Sequence, residues 1–260
     1  MGYFEASHLT TECGQMRPIY QEVALSIAHY LLDHQQSSGG WIHGLSEADY
    51  VSFTGRVNNS QPTSGSYFTP VLISAFEVTN DTIFLDAARS AYLRYLRDLK
   101  TNGFTSSFPL NGRVADCESA TPLLYAALKL YQISKNKTFI DDAVLISYYL
   151  STWLWHYDSL WPVKDILCGE AHTLGLARPT SRHQTLDVLP CRWIPAWQEL
   201  SRLTGDKQWN EKAQVIWNAA TQPVILSATR DKADAWAIAT RLKALRKNSQ
   251  DYFTKKQIIK

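Results

Sequence analysis

The feature that most constrains the fold is a five-residue pattern that occurs four times along the chain. In each copy an aromatic residue is followed by an acidic residue two positions later and by alanine two positions after that. The last three copies come just after similar polar turns, at residues 79–82, 134–137 and 204–207. Regular recurrence of one local pattern predicts stacked copies of one supersecondary unit. The copies begin at Tyr20, Phe84, Phe139 and Trp209.

Each copy opens an amphipathic helix. After Phe84 the apolar residues Ala88, Tyr92, Leu96 and Leu99 follow at helical spacing. The acid of each pattern lies near the helix N-terminus, where the helix dipole favours negative charge. A more apolar segment precedes each of the three turns, and a fourth apolar segment follows near the end of the chain. The sequence therefore predicts an all-α chain of about four hairpins, each with an inner apolar and an outer amphipathic helix. The inner helices are expected at residues 67–79, 118–134, 186–203 and 232–246.

The connections between these helices are unequal in length. Each turn from an inner to an outer helix takes two to four residues, whereas the connections from outer to inner helices are long. Long connections without regular structure are usually functional or disordered. Because every inner helix starts on the same side, we expect all the long connections to emerge on one face, which becomes the candidate site. They span residues 36–66, 101–117, 159–185 and 222–231.

The alternation of helices, the polar turns and the loop starts Gly39-Gly40-Trp41 and Asn102-Gly103-Phe104 resemble the α/α-toroid superfamily. That superfamily includes glycoside hydrolases, polysaccharide lyases, sugar epimerases and, more distantly, terpenoid cyclases. The resemblance covers residues 18–246. It implies one domain over residues 1–260, an α/α toroid or an incomplete toroid with long loops on one face. Residues 1–17 would form an N-terminal segment, and residues 247–260 a basic C-terminal tail.

This resemblance implies a carbohydrate-active enzyme, a glycoside hydrolase or polysaccharide lyase. Polar residues before the inner helices would carry its chemistry, because two carboxylates from different hairpins can flank a glycosidic bond as general acid and as base or nucleophile. A histidine could act as a base near neutral pH. The same acids before helices could instead be N-caps. The candidate catalytic residues are Asp116, Glu118, Asp187 and His183.

Substrate-binding candidates come from the same connections. An arginine there could clamp a carboxylate, as a uronic-acid substrate would require, or could only pin the loop to the body. Aromatic side chains could stack on sugar rings, although core packing is the competing interpretation for each, above all for Trp193. The arginine and histidine candidates are Arg178, Arg182 and His172, and the aromatic candidates are Trp41, Tyr67, Phe104, Trp161 and Trp193.

Composition and charge limit the binding partners and the cellular compartment that we expect for this protein. A net charge of +2 gives no case for nucleic acid or for an acidic membrane surface, and no apolar stretch reaches the length of a membrane span. We see no secretory signal, which predicts a cytoplasmic protein with reduced thiols. No cofactor is expected, because Cys117, Cys168 and Cys191 lack the spacing of a zinc motif. The expected partner is a small saccharide or oligosaccharide, and a homodimer stays open.

Two other functions stay open at this stage. Residues 35–41, Gln-Gln-Ser-Ser-Gly-Gly-Trp, are similar to the Gln…Gly-Trp signature of terpenoid cyclases. The sequence has no DxDD or DDxxD cluster to protonate or ionise a prenyl substrate. A non-catalytic helical scaffold, or a fragment of a larger toroid, would also fit four hairpins, because helical repeats often serve as binding surfaces.

Overall fold

The computed structural model describes residues 2–41, 63–107, 114–158, 173–182 and 186–221. These residues belong to two compact units, residues 1–146 and 147–260. A single domain over residues 1–260 stays a prediction. The first unit contains α1 (Gly2–Glu12), α2 (Pro18–Asp33), α3 (Thr69–Thr79), α4 (Thr82–Asn102), α5 (Ala120–Ser134) and the start of α6 (Thr138–Ser151); the second contains the end of α6, α7 (Ile194–Thr204) and α8 (Gln208–Thr221).

The three repeated turns fold in the same way. The Thr79 hydroxyl donates to the Ala75 carbonyl (2.8 Å) and accepts from the Asp81 N–H (3.2 Å). Asn80 adopts the left-handed conformation with φ 58°, and the Asp81 carboxylate caps α4 by accepting from the Ile83 N–H (3.1 Å). These contacts satisfy backbone groups that helix ends leave without partners. The other two turns repeat the roles with Ser134, Lys135 and Asn136, and with Thr204, Gly205 and Asp206.

Inner and outer helices differ in burial as predicted. Seven consecutive residues at the start of α3, Thr69–Ala75, are buried, so that end of the helix is enclosed on all sides. In α4 the buried residues fall on one stripe that includes Phe84, Ala88, Tyr95 and Leu99, as expected for a helix with one face on the core. The prediction of an all-α chain built from such hairpins is confirmed for the described residues.

One predicted inner helix begins later than expected. Residues 186–203 were predicted to be helical throughout, but α7 begins at Ile194, and Leu189–Trp193 form a 3₁₀ turn. Pro190 and Pro195 explain this, since each lies in the first turn of its own element, where the missing N–H is tolerated. The predicted inner helix at residues 232–246 lies outside the described residues.

Two elements were not predicted. Residues 2–12 form α1, and the connection 101–117 contains a two-stranded antiparallel hairpin of β1 (Thr105–Ser107) and β2 (Val114–Asp116). Strands of three residues are too short to show an alternating pattern. None of the helices in the described part of the chain is long and apolar enough to cross a bilayer.

A buried polar cluster joins two outer helices of the first unit. The Tyr92 hydroxyl on α4 donates to the Asp142 carboxylate on α6 (3.0 Å), and Lys100 donates to the same carboxylate (2.7 Å). Tyr92 is fully buried and Asp142 is 5% exposed. Burial, and secondarily the nearby Asp142 charge, holds the pKa of Tyr92 far above its usual value. The cluster is therefore structural and pairs a buried carboxylate with a neutral donor and a cation.

Candidate functional site

In the first unit the described ends of two long connections lie together, as the common direction of the inner helices predicts. The hydroxyl of Thr63, just before α3, donates to the Ser106 carbonyl (2.9 Å) in the connection before α5. The hydroxyl of Ser66 donates to the Ser119 carbonyl (2.6 Å) at the start of α5. The residues that precede two inner helices therefore lie side by side.

Asp116 stabilises this face through its buried carboxylate. Its carboxylate is wholly buried and accepts from the Thr105 hydroxyl (2.8 Å), the Ser119 hydroxyl (2.8 Å) and the Ser119 N–H (3.3 Å). Buried carboxylates with several donors act as anchors for turns and helix starts. This geometry gives Asp116 a structural role just before α5. Glu118, two residues on, is half-buried.

Asp187 in the second unit has a similar anchoring geometry. Its carboxylate accepts from the N–H of Leu189 (3.0 Å), the first residue of the 3₁₀ turn Leu189–Trp193. Its main chain exchanges two hydrogen bonds with Ala177 (2.8 and 3.1 Å). Asp187 belongs to a different unit from Asp116 and Glu118, so their action as a catalytic pair stays a prediction. His183 lies outside the described residues.

Two of the aromatic candidates are core residues. Trp41 is 5% exposed, donates from Nε1 to the Leu31 carbonyl (2.8 Å) and packs against Phe68, with ring centroids 5.1 Å apart. Trp193 is fully buried beside Trp197 at 5.5 Å. In both cases the structure matches core packing, because a buried ring has no face to offer a sugar. Phe104 is half-buried and Tyr67 is 37% exposed; Trp161 and His172 lie outside the described residues.

The terpenoid-cyclase-like segment makes structural contacts. Gln35 donates from Nε2 to the carbonyls of Gly39 and Ala87, both at 2.9 Å. These two bonds stabilise the loop itself and attach it to α4. The Trp41 side chain attaches the same loop to α2. The backbone N–H of Trp41 also donates to the Tyr95 hydroxyl (3.2 Å), and burial raises the pKa of Tyr95 to about 12. Contacts within the protein therefore explain the presence of Gln35 and Trp41 in this segment, and no ligand is needed to explain them.

In the second unit, an open pocket of about 280 Å³ begins just after α6. We call it the aromatic pocket. This volume is slightly below the roughly 300–1,000 Å³ typical of small-molecule sites, and it suits a small ligand or one part of a longer one. The residues lining it are Thr152, Trp153, Leu154, Trp155, His156, Tyr157 and Arg178.

The wall of this pocket is held by a strap, residues 173–178, that runs back along residues 154–158. The Trp155 N–H donates to the Leu176 carbonyl (2.7 Å), and the Gly175 N–H donates to the Trp155 carbonyl (2.9 Å). Gly175 has φ 92°, and a Cβ there would lie 2.9 Å from the Val215 carbonyl oxygen. The Asp158 carboxylate accepts from the Thr173 and Leu174 N–H groups (2.9 and 3.0 Å). The strap therefore has a defined conformation that requires glycine at one position.

The side chains of the pocket combine apolar rings with a cation. The Arg178 guanidinium carbon lies 5.9 Å from the centroid of the Trp155 ring, within cation–π range. The Trp155 and Tyr157 ring centroids are 5.0 Å apart. Trp155 is half-buried, whereas Tyr157 is 60% exposed and Arg178 is exposed. Such a surface combines rings that can stack on a ligand ring with a positive charge beside them.

Only Arg178 of this pocket was among the predicted site residues. Arg182 is exposed nearby in sequence, and its N–H donates to the Thr180 hydroxyl (3.3 Å). Trp153, Trp155 and Tyr157 were missed. The available signal was their concentration in the sequence: three aromatic residues and a histidine lie within residues 153–157, just before the connection 159–185.

Two of the three cysteines considered for zinc lie in the described part of the chain. Cys117 is buried in the first unit, Cys191 is buried in the second, and Cys168 lies outside the described residues. Across the described ranges, no three His, Cys, Asp or Glu side chains are arranged to hold a metal ion.

Comparison with known proteins gives distant structural likenesses. No family model matches the chain, and no curated protein matches it. A family 76 glycoside hydrolase of Bacteroides thetaiotaomicron, an α-mannanase, is 13% identical with a TM-score of 0.44, covering 61% of this chain and 43% of its own. Another family 76 glycoside hydrolase, from a bovine strain of that species, is 16% identical with a TM-score of 0.42, covering 60% and 34%.

A polysaccharide lyase is 10% identical with a TM-score of 0.41, covering 84% of this chain and 36% of its own. The chain thus spans less than half of the length of these solved structures. They are enzymes of the α/α-toroid architecture that the hairpin repeat resembles. At such low identities and TM-scores, no assignment of family or activity to this chain rests on them.

Proposed function

We propose that the protein is a carbohydrate-active enzyme of glycoside hydrolase or polysaccharide lyase type, and that the aromatic pocket binds part of its saccharide. The observation that carries this proposal is the grouping of Trp153, Trp155, Tyr157 and Arg178 around one open cavity. Sugar rings present apolar C–H faces and a rim of hydroxyls, so they are complementary to exposed aromatic rings flanked by hydrogen-bond donors.

The position of the pocket supports the same proposal. It lies where outer helix α6 ends and the long connection to the next inner helix starts. Binding and catalytic residues concentrate on such connections, because the helices beneath them supply a rigid support. A binding role for Trp155 also fits its environment, because the strap fixes its main chain and its ring is only half-buried.

The catalytic residues remain part of the proposal. Glu118 is the acid we favour in the first unit, because it is half-buried and two residues from Asp116, whose own oxygens already hold Thr105 and Ser119. Asp116 would position the start of α5 without touching substrate. In the second unit the proposed catalytic residues are Asp187, as acid or nucleophile, and His183, as base.

The test is activity of the purified chain against a panel of neutral and acidic polysaccharides. Reducing ends would report hydrolysis, and the ultraviolet absorbance of an unsaturated product would report elimination. We expect turnover of at least one polysaccharide and its loss in Glu118→Gln. We also expect weaker substrate use in Tyr157→Ala than in Tyr30→Ala, a matched control because Tyr30 is 61% exposed and Tyr157 is 60% exposed.

The outcomes separate the competing functions. If no polysaccharide is turned over and no oligosaccharide raises the melting midpoint, the proposal is refuted. Stabilisation by a prenyl diphosphate alone would favour a cyclase-like enzyme. If neither oligosaccharides nor prenyl diphosphates raise the melting midpoint, a non-catalytic scaffold is favoured. The reason is that a ligand that binds the folded state raises its apparent stability by mass action.

A further inference from the structure

We propose that Lys212 on α8 is a site of covalent modification, where its side-chain amine forms an imine with a small aldehyde, including the open-chain form of a reducing sugar. This is independent of the proposed function, because Lys212 is not among the described residues that line the aromatic pocket. Lys212 Nζ lies 5.1 Å from the centroid of the Trp209 ring and 5.8 Å from that of the Tyr148 ring. The amine also donates to the Ser151 hydroxyl (3.0 Å).

The groups around this amine are held in place by other contacts. The Tyr148 ring packs at a steep angle against Trp209, with centroids 5.0 Å apart, and its hydroxyl accepts from Gln208 Nε2 (3.1 Å). The Ser151 hydroxyl donates to the carbonyl of Ser147, one turn earlier in α6 (2.8 Å). Trp209 and Ser147 are fully buried. The amine is therefore surrounded by two fixed rings and a fixed hydroxyl between α6 and α8.

These surroundings favour the neutral form of the amine. A lysine ammonium is strongly hydrated in water, and the two rings replace part of that water. Partial burial lowers the pKa of Lys212, and the Asp206 carboxylate opposes this shift. The rings themselves attract the cation only weakly, because both centroids lie near the outer limit of about 6 Å for a cation–π contact.

Two other lysines have surroundings that favour the charged form. Lys100 binds the Asp142 carboxylate, and Lys129 binds that of Glu77. An opposite charge at this distance stabilises the ammonium and lowers the fraction of neutral amine. Within the described part of the chain, the contacts of Lys212 Nζ are instead a hydroxyl and two rings.

The reaction requires the neutral amine, because its lone pair attacks the carbonyl carbon of the aldehyde. The new carbon–nitrogen bond gives a carbinolamine, which loses water to form the imine, so no oxidant or reductant is consumed. A protonated imine keeps a positive charge beside the rings and one N–H for the Ser151 hydroxyl. Lys212 is half-buried and the neighbouring Tyr148 is 49% exposed, which leaves the amine within reach of a small aldehyde.

The experiment is reductive labelling of the full chain at pH 7 with glycolaldehyde and sodium cyanoborohydride, followed by mass spectrometry of the lysine-containing peptides. Cyanoborohydride adds hydride to the imine and makes each product permanent. We expect Lys212 to be labelled severalfold faster than two control lysines. Lys129 is half-buried like Lys212 but ion-paired, and Lys207 is exposed. D-ribose in a parallel reaction should give the same order more slowly, because little of it is in the open-chain form.

Two variants test the role of the rings. Tyr148→Ala removes one ring and lets water reach the amine, so labelling of Lys212 should slow towards the rate of Lys207 even though access improves. Tyr148→Phe keeps the ring and is the matched control, in which Lys212 should react as fast as in the wild type. Circular dichroism and the melting midpoint check that both variants fold, which the 49% exposure of Tyr148 predicts.

Three results would count against the proposal. Labelling of Lys212 in the wild type no faster than that of Lys207 would overturn it. Faster labelling of Lys212 in Tyr148→Ala than in the wild type would also overturn it, because access and not the surroundings would then control the rate. Rapid labelling by glycolaldehyde with none by D-ribose would overturn the inclusion of reducing sugars and support modification by small free aldehydes.

Discussion

The Tyr92–Asp142–Lys100 cluster gives a quantitative test of the packing between outer helices. Tyr92→Phe removes one hydroxyl from a fully buried ring and leaves Asp142 with Lys100 at 2.7 Å. A hydrogen bond to a charged group contributes about 1.5–3 kcal/mol, and the phenyl ring fills the same space. We therefore expect the free energy of unfolding at pH 7 to fall by about 2 kcal/mol, since Asp142 is only 5% exposed and water replaces little of the bond.

The same substitution has a second signature at high pH. The folded state raises the pKa of Tyr92 through burial and the Asp142 charge, so above a pH of about 10 the unfolded chain loses a proton that the folded chain keeps. Stability therefore falls as pH rises, by about 1.4 kcal/mol per pH unit for each such tyrosine. Tyr92→Phe removes this contribution, so the difference between variant and wild type should shrink above pH 10.

The assay is urea unfolding followed by circular dichroism at pH 7 and at several values above pH 10. The control is Tyr30→Phe, which removes a hydroxyl from a ring that is 61% exposed and should change stability at pH 7 by less than about 0.5 kcal/mol. The reasoning is refuted if Tyr92→Phe is as stable as wild type at pH 7 and its stability falls with pH at the wild-type slope.

Three further substitutions test the turns and the anchored face. Lys135→Gly should raise the free energy of unfolding by about 0.5–1 kcal/mol, because Lys135 has φ 57° in a turn where the equivalent Gly205 has φ 75°. Gly65→Ala should lower it by more than about 2 kcal/mol, because a Cβ would lie 1.9 Å from the Tyr95 hydroxyl oxygen. Asp116→Ala should lower it by about 2–4 kcal/mol, because the Thr105 and Ser119 donors lose their acceptor in a buried site. Chemical unfolding measures all three; a loss of stability in Lys135→Gly, or wild-type stability in either of the others, would contradict the structure.

The helices on either side of the three repeated turns could be predicted from the sequence because their signals are local. Thr79, Asn80 and Asp81 act within one helical turn of each other, and so do their equivalents in the other two turns. A hydroxyl, a left-handed residue and a side-chain cap determine where one helix ends and the next begins. The buried stripe of α4 follows from helical spacing alone. Such features need no knowledge of the rest of the fold.

The candidate site was harder to predict because its contacts are distant in sequence. The strap reaches Trp155 from some twenty residues away, through main-chain bonds that any residue type can form. Trp41 and Asp116 have residue types suited to sugar binding and catalysis, yet the structure buries both. Burial depends on how helices pack, and neither residue type nor spacing reports it. Arg178 was identified because it lies in the densest polar stretch of a long connection, where binding residues are expected.

The most direct test of the account is to locate the bound saccharide by the indole N–H resonances of the nine tryptophans. The protein would be labelled with ¹⁵N-tryptophan, assigned by single Trp→Phe variants and titrated with an oligosaccharide that it turns over or binds. We predict that the Trp155 signal shifts with saturation, together with Trp153, while the buried Trp41 and Trp193 signals stay in place. Saturating shifts at Trp41 or Trp193 with no change at Trp155 would contradict the assignment of the aromatic pocket as the saccharide site.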